Sequence, residues 1–188
     1  MVAFRVAQLV ATVVLMAATA ACDQISSGRS EVAGPPGSPA PTAMDGTVIS
    51  GCAARVRDEL EEGLAARAVR VGPAAFVSFS IHEPRGSRPG AVSNFKVMVE
   101  LRPDARVTVS LAPEAGEQMS LLFDRGRLRE DNAYTLADGA PTVRFETCAG
   151  RPTTFVGAVV TAGPTVAPLD VTVEGGGPRR RIQLAARL

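Results

Sequence analysis

Short runs in which apolar and polar residues alternate with a period of two dominate the chain after residue 68. Val77, Phe79 and Ile81, for example, alternate with Ser78 and Ser80. This alternation is typical of half-buried antiparallel strands, and turn residues separate each run from the next. Further runs lie at residues 97–101, 107–111, 121–123, 143–145, 155–160, 169–173 and 182–184.

The runs predict an all-β, mainly antiparallel fold. Roughly eight or nine strands in 120 residues is the spacing of a β-sandwich that is immunoglobulin-like in its general architecture. The sequence Arg-Pro-Asp-Ala at residues 102–105 predicts a β-hairpin between the strands on either side of it. A Gly-Gly-Gly-Pro turn at residues 175–178 joins the last two predicted strands.

One segment, residues 53–66, has a helical pattern instead. Val56, Leu60 and Leu64 recur at every fourth position, which places them on one face of an α-helix. Gly63 and a cluster of acidic residues oppose a helix here. The expectation is nevertheless a single helix before the strands.

The first 22 residues are organised as a secretory signal. Arg5 is followed by 16 uncharged, mainly apolar residues, 6–21, and then by Cys22. A stretch of this length is too short to span a bilayer, for which about 20 residues are needed. Residues 1–22 are therefore predicted to be a signal peptide of the lipoprotein type.

Thr19-Ala20-Ala21-Cys22 resembles the lipobox of bacterial lipoproteins, in which the cysteine thiol becomes a diacylglyceryl thioether. Thr19 departs from the pattern, which usually has a large aliphatic residue at that position. The resemblance implies lipidation of Cys22 and attachment to the outer face of the cell membrane. Cleavage after Ala20 is the alternative, because Ala18-Thr19-Ala20 fits the small-x-small rule, and it would give a secreted protein.

Residues 23–46 are rich in Ser, Gly and Pro and contain almost nothing to bury, so they are predicted to be a disordered tether. The 28 residues from Asp23 to Ser50 would span about 30 Å on average as a flexible chain. Residues 47–188 are then expected to form a single β-rich domain. Lipid on Cys22 would hold that domain close to the membrane.

Charge and aromatic content disfavour two classes of binding protein. The chain has 20 basic and 19 acidic residues, and without Arg5 the mature protein has 19 of each. A formally neutral protein lacks the excess positive charge that favours nucleic-acid binding. Seven Phe, one Tyr and no Trp offer few aromatic surfaces for sugars or single-stranded bases.

His82 is the only histidine, and neither a second histidine nor a cysteine lies at metal-ligand spacing from it. It is interpreted as a solvated residue at the end of a strand. The alternative is an enzyme with an atypical site formed by Ser80, His82 and Glu83. The sequence has neither a Gly-x-Ser-x-Gly motif nor a phosphate-binding loop, so no catalytic residue, metal or cofactor is predicted.

Two pairs of carboxylates, Glu100 with Asp104 and Asp170 with Glu174, have a spacing compatible with proximity on strands. A glycosidase requires such a pair on either side of a cleft. The alternation instead places these side chains outward, and solvated strand faces explain them without catalysis.

Arg179, Arg180 and Arg181 form a basic cluster, and Arg187 follows them. The cluster is compatible with contacts to anionic phospholipid headgroups or to wall polymers. The other interpretation is protection of an edge strand against aggregation.

Five short segments of the chain resemble other sequences. They are Val143-Arg144-Phe145-Glu146-Thr147-Cys148, Thr154-Phe155-Val156-Gly157, Pro168-Leu169-Asp170-Val171, Val71-Gly72-Pro73 and Val107-Thr108-Val109-Ser110. Together they are similar to a set of uncharacterised actinobacterial exported proteins and lipoproteins. The resemblance covers residues 69–173, implies an exported, β-sandwich-like domain and brings no known activity. In that set a second cysteine often precedes the Pro-Leu-Asp-Val segment, where this chain has Val166-Ala167. The resemblance thus implies that Cys148 pairs elsewhere or stays free.

Cys52 and Cys148 form an even pair once Cys22 is assigned to lipid. In an extracytoplasmic compartment such a pair is predicted to form a disulfide. It would close a loop on the order of one hundred residues, for which chain entropy gives about 4 to 5 kcal/mol as an upper value. Two buried or free thiols are the alternative.

These features together predict a membrane-anchored envelope lipoprotein with a non-enzymatic binding or structural domain. The expected partners are the membrane, through the lipid, and an envelope protein or small ligand bound by loops at one end of the sandwich. Nucleic acid is not an expected partner. A secreted protein, or an enzyme with a site near His82, is the alternative.

Overall fold

Eleven β-strands are the main regular elements of the computed structural model, which describes residues 46–85 and 88–187. The predicted signal peptide, Cys22 and the predicted tether up to residue 45 lie outside the described residues. One turn of α-helix, α1 (Glu62–Ala65), and short 3-10 helices complete the described elements. The strands are β1 (Val48–Ser50), β2 (Arg55–Arg57), β3 (Val69–Val71), β4 (Ala74–His82), β5 (Ser93–Leu101), β6 (Arg106–Leu111), β7 (Met119–Leu122), β8 (Thr142–Glu146), β9 (Thr153–Thr161), β10 (Val166–Val173) and β11 (Arg180–Ala185).

The strands form two sheets packed face to face, which confirms the predicted all-β sandwich. Sheet A has the order β1-β8-β6-β10-β11, and sheet B has the order β2-β9-β5-β4-β3 with β7 as an additional neighbour of β9. These pairs are antiparallel except β1 with β8. The predicted turn at residues 175–178 joins β10 to β11. No helix within the described residues is long and apolar enough to cross a membrane.

The core lies between the sheets and is built from the side chains that alternate toward the partner sheet. On sheet A, Val107 and Phe145 are fully buried, and on sheet B the same holds for Phe95 and Leu101. The rings of Phe123 and Phe145 meet edge to face, with centroids 4.9 Å apart. Removal of these side chains from water is the main favourable term in folding.

The predicted hairpin around residues 102–105 is wrong. β5 pairs with β4 and β9 in sheet B, whereas β6 pairs with β8 and β10 in sheet A. The turn therefore carries the chain from one sheet to the other, and the apolar residues of β5 and β6 face each other across the core. Alternation shows which side chains of a strand share a face but not which strand lies beside it.

The predicted helix over residues 53–66 is also wrong, apart from the turn α1. β2 occupies part of this segment and pairs with β9, which satisfies backbone groups at the edge of sheet B. The apolar spacing is still used, because Leu60 is only 8% exposed and packs with Val77 on the outer face of sheet B. The N–H of Leu60 donates to the carboxylate of Glu100 at 2.6 Å and holds the segment on the sheet.

Residues 123–141 cover another part of the outer face of sheet B. Tyr134, which is 3% exposed, packs on apolar side chains of β7 and β9. Its carbonyl accepts a hydrogen bond from the N–H of Val92 at 2.8 Å. Arg88 donates to Asp138 at 2.6 and 3.0 Å and ties this cover to the connection between β4 and β5. Two segments of the chain therefore shield sheet B from solvent.

The N-terminal strap, residues 46–57, joins the edges of both sheets. β1 pairs with β8 in sheet A, and β2 pairs with β9 in sheet B. A disulfide connects Cys52, between these two strands, to Cys148 after β8, with Cα atoms 4.9 Å apart. This is the pairing that the sequence predicts. On the other side of the sandwich, the N–H of Arg187 donates to the carbonyl of Phe79 at 3.0 Å, so the chain after β11 reaches sheet B.

Candidate functional site

The outer face of sheet A differs in character from that of sheet B. Its side chains alternate with the core residues of four strands, and most of them carry a hydroxyl group or a charge. The two smaller apolar clusters of the described residues both lie on sheet B, so neither of them covers this surface. We call it the polar face, and it consists of Arg106, Thr108, Ser110, Thr142, Arg144, Glu146, Asp170, Thr172 and Arg181.

One row of the polar face crosses four neighbouring strands. Thr142 on β8 lies opposite Ser110 on β6, and its hydroxyl donates to that of Ser110 at 3.0 Å. Asp170 on β10 lies on the other side of Ser110. Arg181 on β11 lies opposite Asp170 and ends the row. Strand register, and not proximity in the sequence, brings these four side chains together.

Asp170 is buried although it belongs to an outer face. It is 4% exposed, and its carboxylate accepts hydrogen bonds from Arg181 at 2.8 and 3.0 Å. Arg179 lies 3.4 Å from the same carboxylate. The hydrogen bonds lower the pKa of Asp170 and raise the pKa of Arg181. The prediction of a solvated aspartate is therefore wrong, and Arg181 on β11 and Arg179 just before that strand pair with the buried carboxylate.

The arginine cluster divides between two environments. Asp170 holds Arg179 and Arg181, and Arg181 also pairs with Glu114. Arg180 alternates with Arg181 along β11, is exposed, and has no ion pair among residues 46–85 and 88–187. Asp170 and Glu114 offset part of the positive charge of the cluster, while Arg179 and Arg180 stay exposed. Contact with headgroups or wall polymers and protection of the edge of β11 therefore both stay predictions.

The next row of the polar face contains a buried donor without a partner. Arg144 lies opposite Thr108, which in turn lies opposite Thr172. A terminal guanidinium nitrogen of Arg144 pairs with Glu146 at 2.9 Å. Its Nε is buried and has no hydrogen-bond partner in the described part of the chain. Three other buried polar atoms, on Asn94, Ser120 and Thr154, are unpaired in the same way, and an ordered water can satisfy such groups.

A groove of about 340 Å³ opens at one end of the polar face, beside the turns that follow β5, β8 and β10. Asp104, Arg106, Glu146 and Glu174 contribute charged groups to it. Arg106 and Glu174 form an exposed ion pair of 3.6 Å. Asp104 has a positive φ of 57° and accepts a hydrogen bond from the N–H of Gly150 at 3.1 Å. Three carboxylates around one guanidinium suit hydrogen-bonding and basic groups of a partner.

The two members of each candidate carboxylate pair lie in different environments. Glu100 accepts a hydrogen bond from the backbone under the cover of sheet B, whereas Asp104 lies in the turn after β5. Asp170 is enclosed by arginines, and Glu174 pairs with an arginine of β6. Each carboxylate therefore has a local structural partner.

The structure gives Ser80, His82 and Glu83 separate contacts. The backbone of Ser80 bridges to the segment after β11. His82 lies opposite Asn94 on β5, and the carboxylate of Glu83 accepts a hydrogen bond from Ser93 at 2.8 Å instead of orienting the histidine. Within the residues that the structure describes, no group of three or more His, Cys, Asp or Glu side chains has the geometry to hold a metal ion.

The ion pair between the buried Asp170 and the exposed Arg181 is one site feature that sequence reasoning missed. A signal for it existed, because the turn at residues 175–178 limits the register of the last hairpin and so the residues that face each other. No turn in the sequence indicated which residues lie beside Arg144. Its row depends on pairing between β6 and β8, which are far apart in the sequence.

Comparison with known proteins gives little further information. No family model matches the chain, and no curated protein is significantly similar to it. A solved structure of the serine-rich repeat protein Srr2 from Streptococcus agalactiae is similar over 63% of this chain and 48% of that chain, with 8% identity and a TM-score of 0.29. The chain thus spans about half the length of that structure. A likeness of this size carries no argument about function.

Proposed function

We propose that this protein is an envelope lipoprotein, anchored by lipid on Cys22 to the outer face of the cell membrane, whose β-sandwich binds a partner protein without catalysis. The export signal, the lipobox-like residues before Cys22 and the Pro-rich tether support the anchor. The disulfide between Cys52 and Cys148 supports an extracytoplasmic location, since such bonds persist in oxidising compartments.

The observation that carries the binding role is the polar face. Sheet B is covered on its outside by two segments of its own chain, whereas the outside of sheet A presents hydrogen-bonding groups in rows. The ion pair of Asp170 and Arg181 already holds both side chains, so binding needs little further ordering of them. Arginines and carboxylates alternate on this face, which favours a protein surface of mixed charge over a polyanion.

Site-specific photo-crosslinking in intact cells tests the binding role. A photoreactive amino acid replaces Thr172, which is exposed on the polar face, or Glu59, which is exposed on the cover of sheet B and serves as the control. We expect a discrete crosslinked protein from position 172 and not from position 59. An additional Thr108→Arg substitution should abolish that product by obstructing the face. Identical products from both positions, or none from position 172, would contradict the proposal.

Mass spectrometry of the native mature N-terminus tests the anchor. We expect Cys22 to be the first residue and to carry a diacylglyceryl group, and the protein to sediment with membranes. Cys22→Ala should release the protein from the membrane fraction. An N-terminus at Ala21 with an unmodified thiol would instead establish the secreted alternative, in which the polar face acts away from the membrane.

A further inference from the structure

The N-terminal strap is attached to the sandwich by few backbone pairs. β1 has three register pairs with β8, and β2 has two with β9, with an irregular register between them. The central strands β5 and β9 share nine. Short segments at the start of a domain with so few paired residues are among the parts that open most easily.

Side chains of the strap attach it only in part: Thr47 and Ser50 are buried, and Val48 and Ala54 pack against the main core as partly buried residues. Val56 is 46% exposed. Arg55 and Arg57 pair with Asp58 and Glu61 of the adjoining segment, at 2.7 and 2.6 Å, and these ion pairs do not reach across to the sheets. The hydroxyl of Ser50 donates to a backbone carbonyl outside the strap at 3.5 Å, which is a long hydrogen bond.

The disulfide is placed where it reinforces this attachment. Cys52 lies between β1 and β2, and Cys148 lies in the connection from β8 to β9, the two strands with which the strap pairs. The covalent link therefore keeps both short strands within a few residues of a fixed point. This raises their effective concentration at the sheet edges and favours pairing.

We propose that the disulfide between Cys52 and Cys148 is a redox latch: its reduction lets residues 46–57 detach from both sheets while the rest of the sandwich stays folded. Detachment uncovers backbone groups along the edges of β8 and β9. The inference goes beyond the proposed function and does not depend on the lipid anchor.

The chemical step is thiol–disulfide exchange with a dithiol reductant. A thiolate of the reductant attacks Sγ of Cys52, which is half-buried, whereas Cys148 is 3% exposed and shielded. The S–S bond breaks, and Cys148 leaves as a thiolate and takes up a proton. The second thiol of the reductant then displaces Cys52 as a thiol and leaves as a cyclic disulfide. Two electrons and two protons pass to the protein.

Hydrogen–deuterium exchange with and without dithiothreitol tests the latch. The experiment uses the full chain with the substitution Cys22→Ser, so that Cys52 and Cys148 are the only cysteines left. In the oxidised protein we expect the amides of residues 46–57 to be protected. After reduction they should exchange at least about tenfold faster than the amides of β5, at a rate that low concentrations of urea do not change, as expected for local opening.

Two outcomes would overturn the proposal. One is continued protection of the strap after reduction, and the other is exchange of strap and β5 amides at the same rate at every urea concentration, which indicates global unfolding. The double variant Cys52→Ser, Cys148→Ser should reproduce the reduced pattern without any reductant. A monothiol added in limiting amount should first form an adduct on Cys52, and an adduct on Cys148 alone would contradict the proposed order of attack.

Discussion

Arg181 on β11 lies directly opposite Asp170 on β10 and donates two hydrogen bonds, of 2.8 and 3.0 Å, to its carboxylate. Two parallel hydrogen bonds fix the relative orientation of guanidinium and carboxylate more strictly than a single contact. The pair therefore joins the last two strands at the edge of sheet A and, at the same time, holds two side chains of the polar face in place.

Asp170→Asn should lower the melting temperature at neutral pH by clearly more than Glu174→Gln does. Asparagine keeps the size of the side chain but removes the charge, which leaves Arg179 and Arg181 beside each other without the carboxylate between them. Glu174 is the matched control, because its ion pair with Arg106 is exposed and 3.6 Å long, and such pairs contribute little. Circular dichroism melting curves with equal shifts for both variants would refute this role of Asp170.

Asp131 offers a test of acid sensitivity. Arg129 donates hydrogen bonds of 3.0 and 2.9 Å to it, which lower the pKa of Asp131 to about 2. An unpaired aspartate has a pKa of about 3.9. Because the folded-state pKa is lowered, the ionised group contributes stability above about pH 3.9, and this contribution is lost as the pH falls toward 2. Carboxyl NMR should show a midpoint near 2, and Arg129→Gln should raise it. A midpoint near 3.9 in the unmodified protein would count against the ion pair.

The strands were predictable because period-two alternation is a local property of the chain. The neighbours of each strand were not, and β5 with β6 shows why. Residues 97–101 and 107–111 have the same pattern whether they lie side by side in one sheet or face each other across a core. Only the non-local pairing with β4, β9, β8 and β10 decides between these arrangements.

The candidate site was predictable only in part, for the same reason. Alternation correctly placed Asp170 on the outer face, but its burial depends on the arginines that β11 brings beside it. Cys52 and Cys148 could be paired by elimination, since so few cysteines are present. The spacing of Leu60 and Leu64 predicted burial on one side, yet the segment achieves that burial without becoming a long helix.

Gly157 on β9 lies very close to the end of β7 and to the residue that follows it. A Cβ atom at this position would come within 2.4 Å of the carbonyl oxygen of Leu122 and of a ring carbon of Phe123. Gly157→Ala is therefore expected to lower the free energy of unfolding by about 1 to 3 kcal/mol, as overpacked cores do. Gly63→Ala is the control, because no atom lies within 4 Å of its added Cβ and alanine suits the turn α1. Urea denaturation should separate the two variants, and equal midpoints would disprove the close approach.

Leu60 provides the test of the cover on sheet B. Its side chain is 8% exposed and packs on Val77. Its backbone N–H donates to the carboxylate of Glu100, and every substitution except proline retains this hydrogen bond. Leu60→Ala is expected to reduce the free energy of unfolding by about 2 kcal/mol, the lower end for buried leucines, because the cavity it leaves lies near solvent. Leu128→Ala removes the same atoms from a side chain that is 36% exposed and should change stability by less than about 0.5 kcal/mol. If both substitutions have the same effect in urea denaturation, the segment around Leu60 does not seal the outer face of sheet B, and the contrast between a covered sheet B and an open polar face is lost.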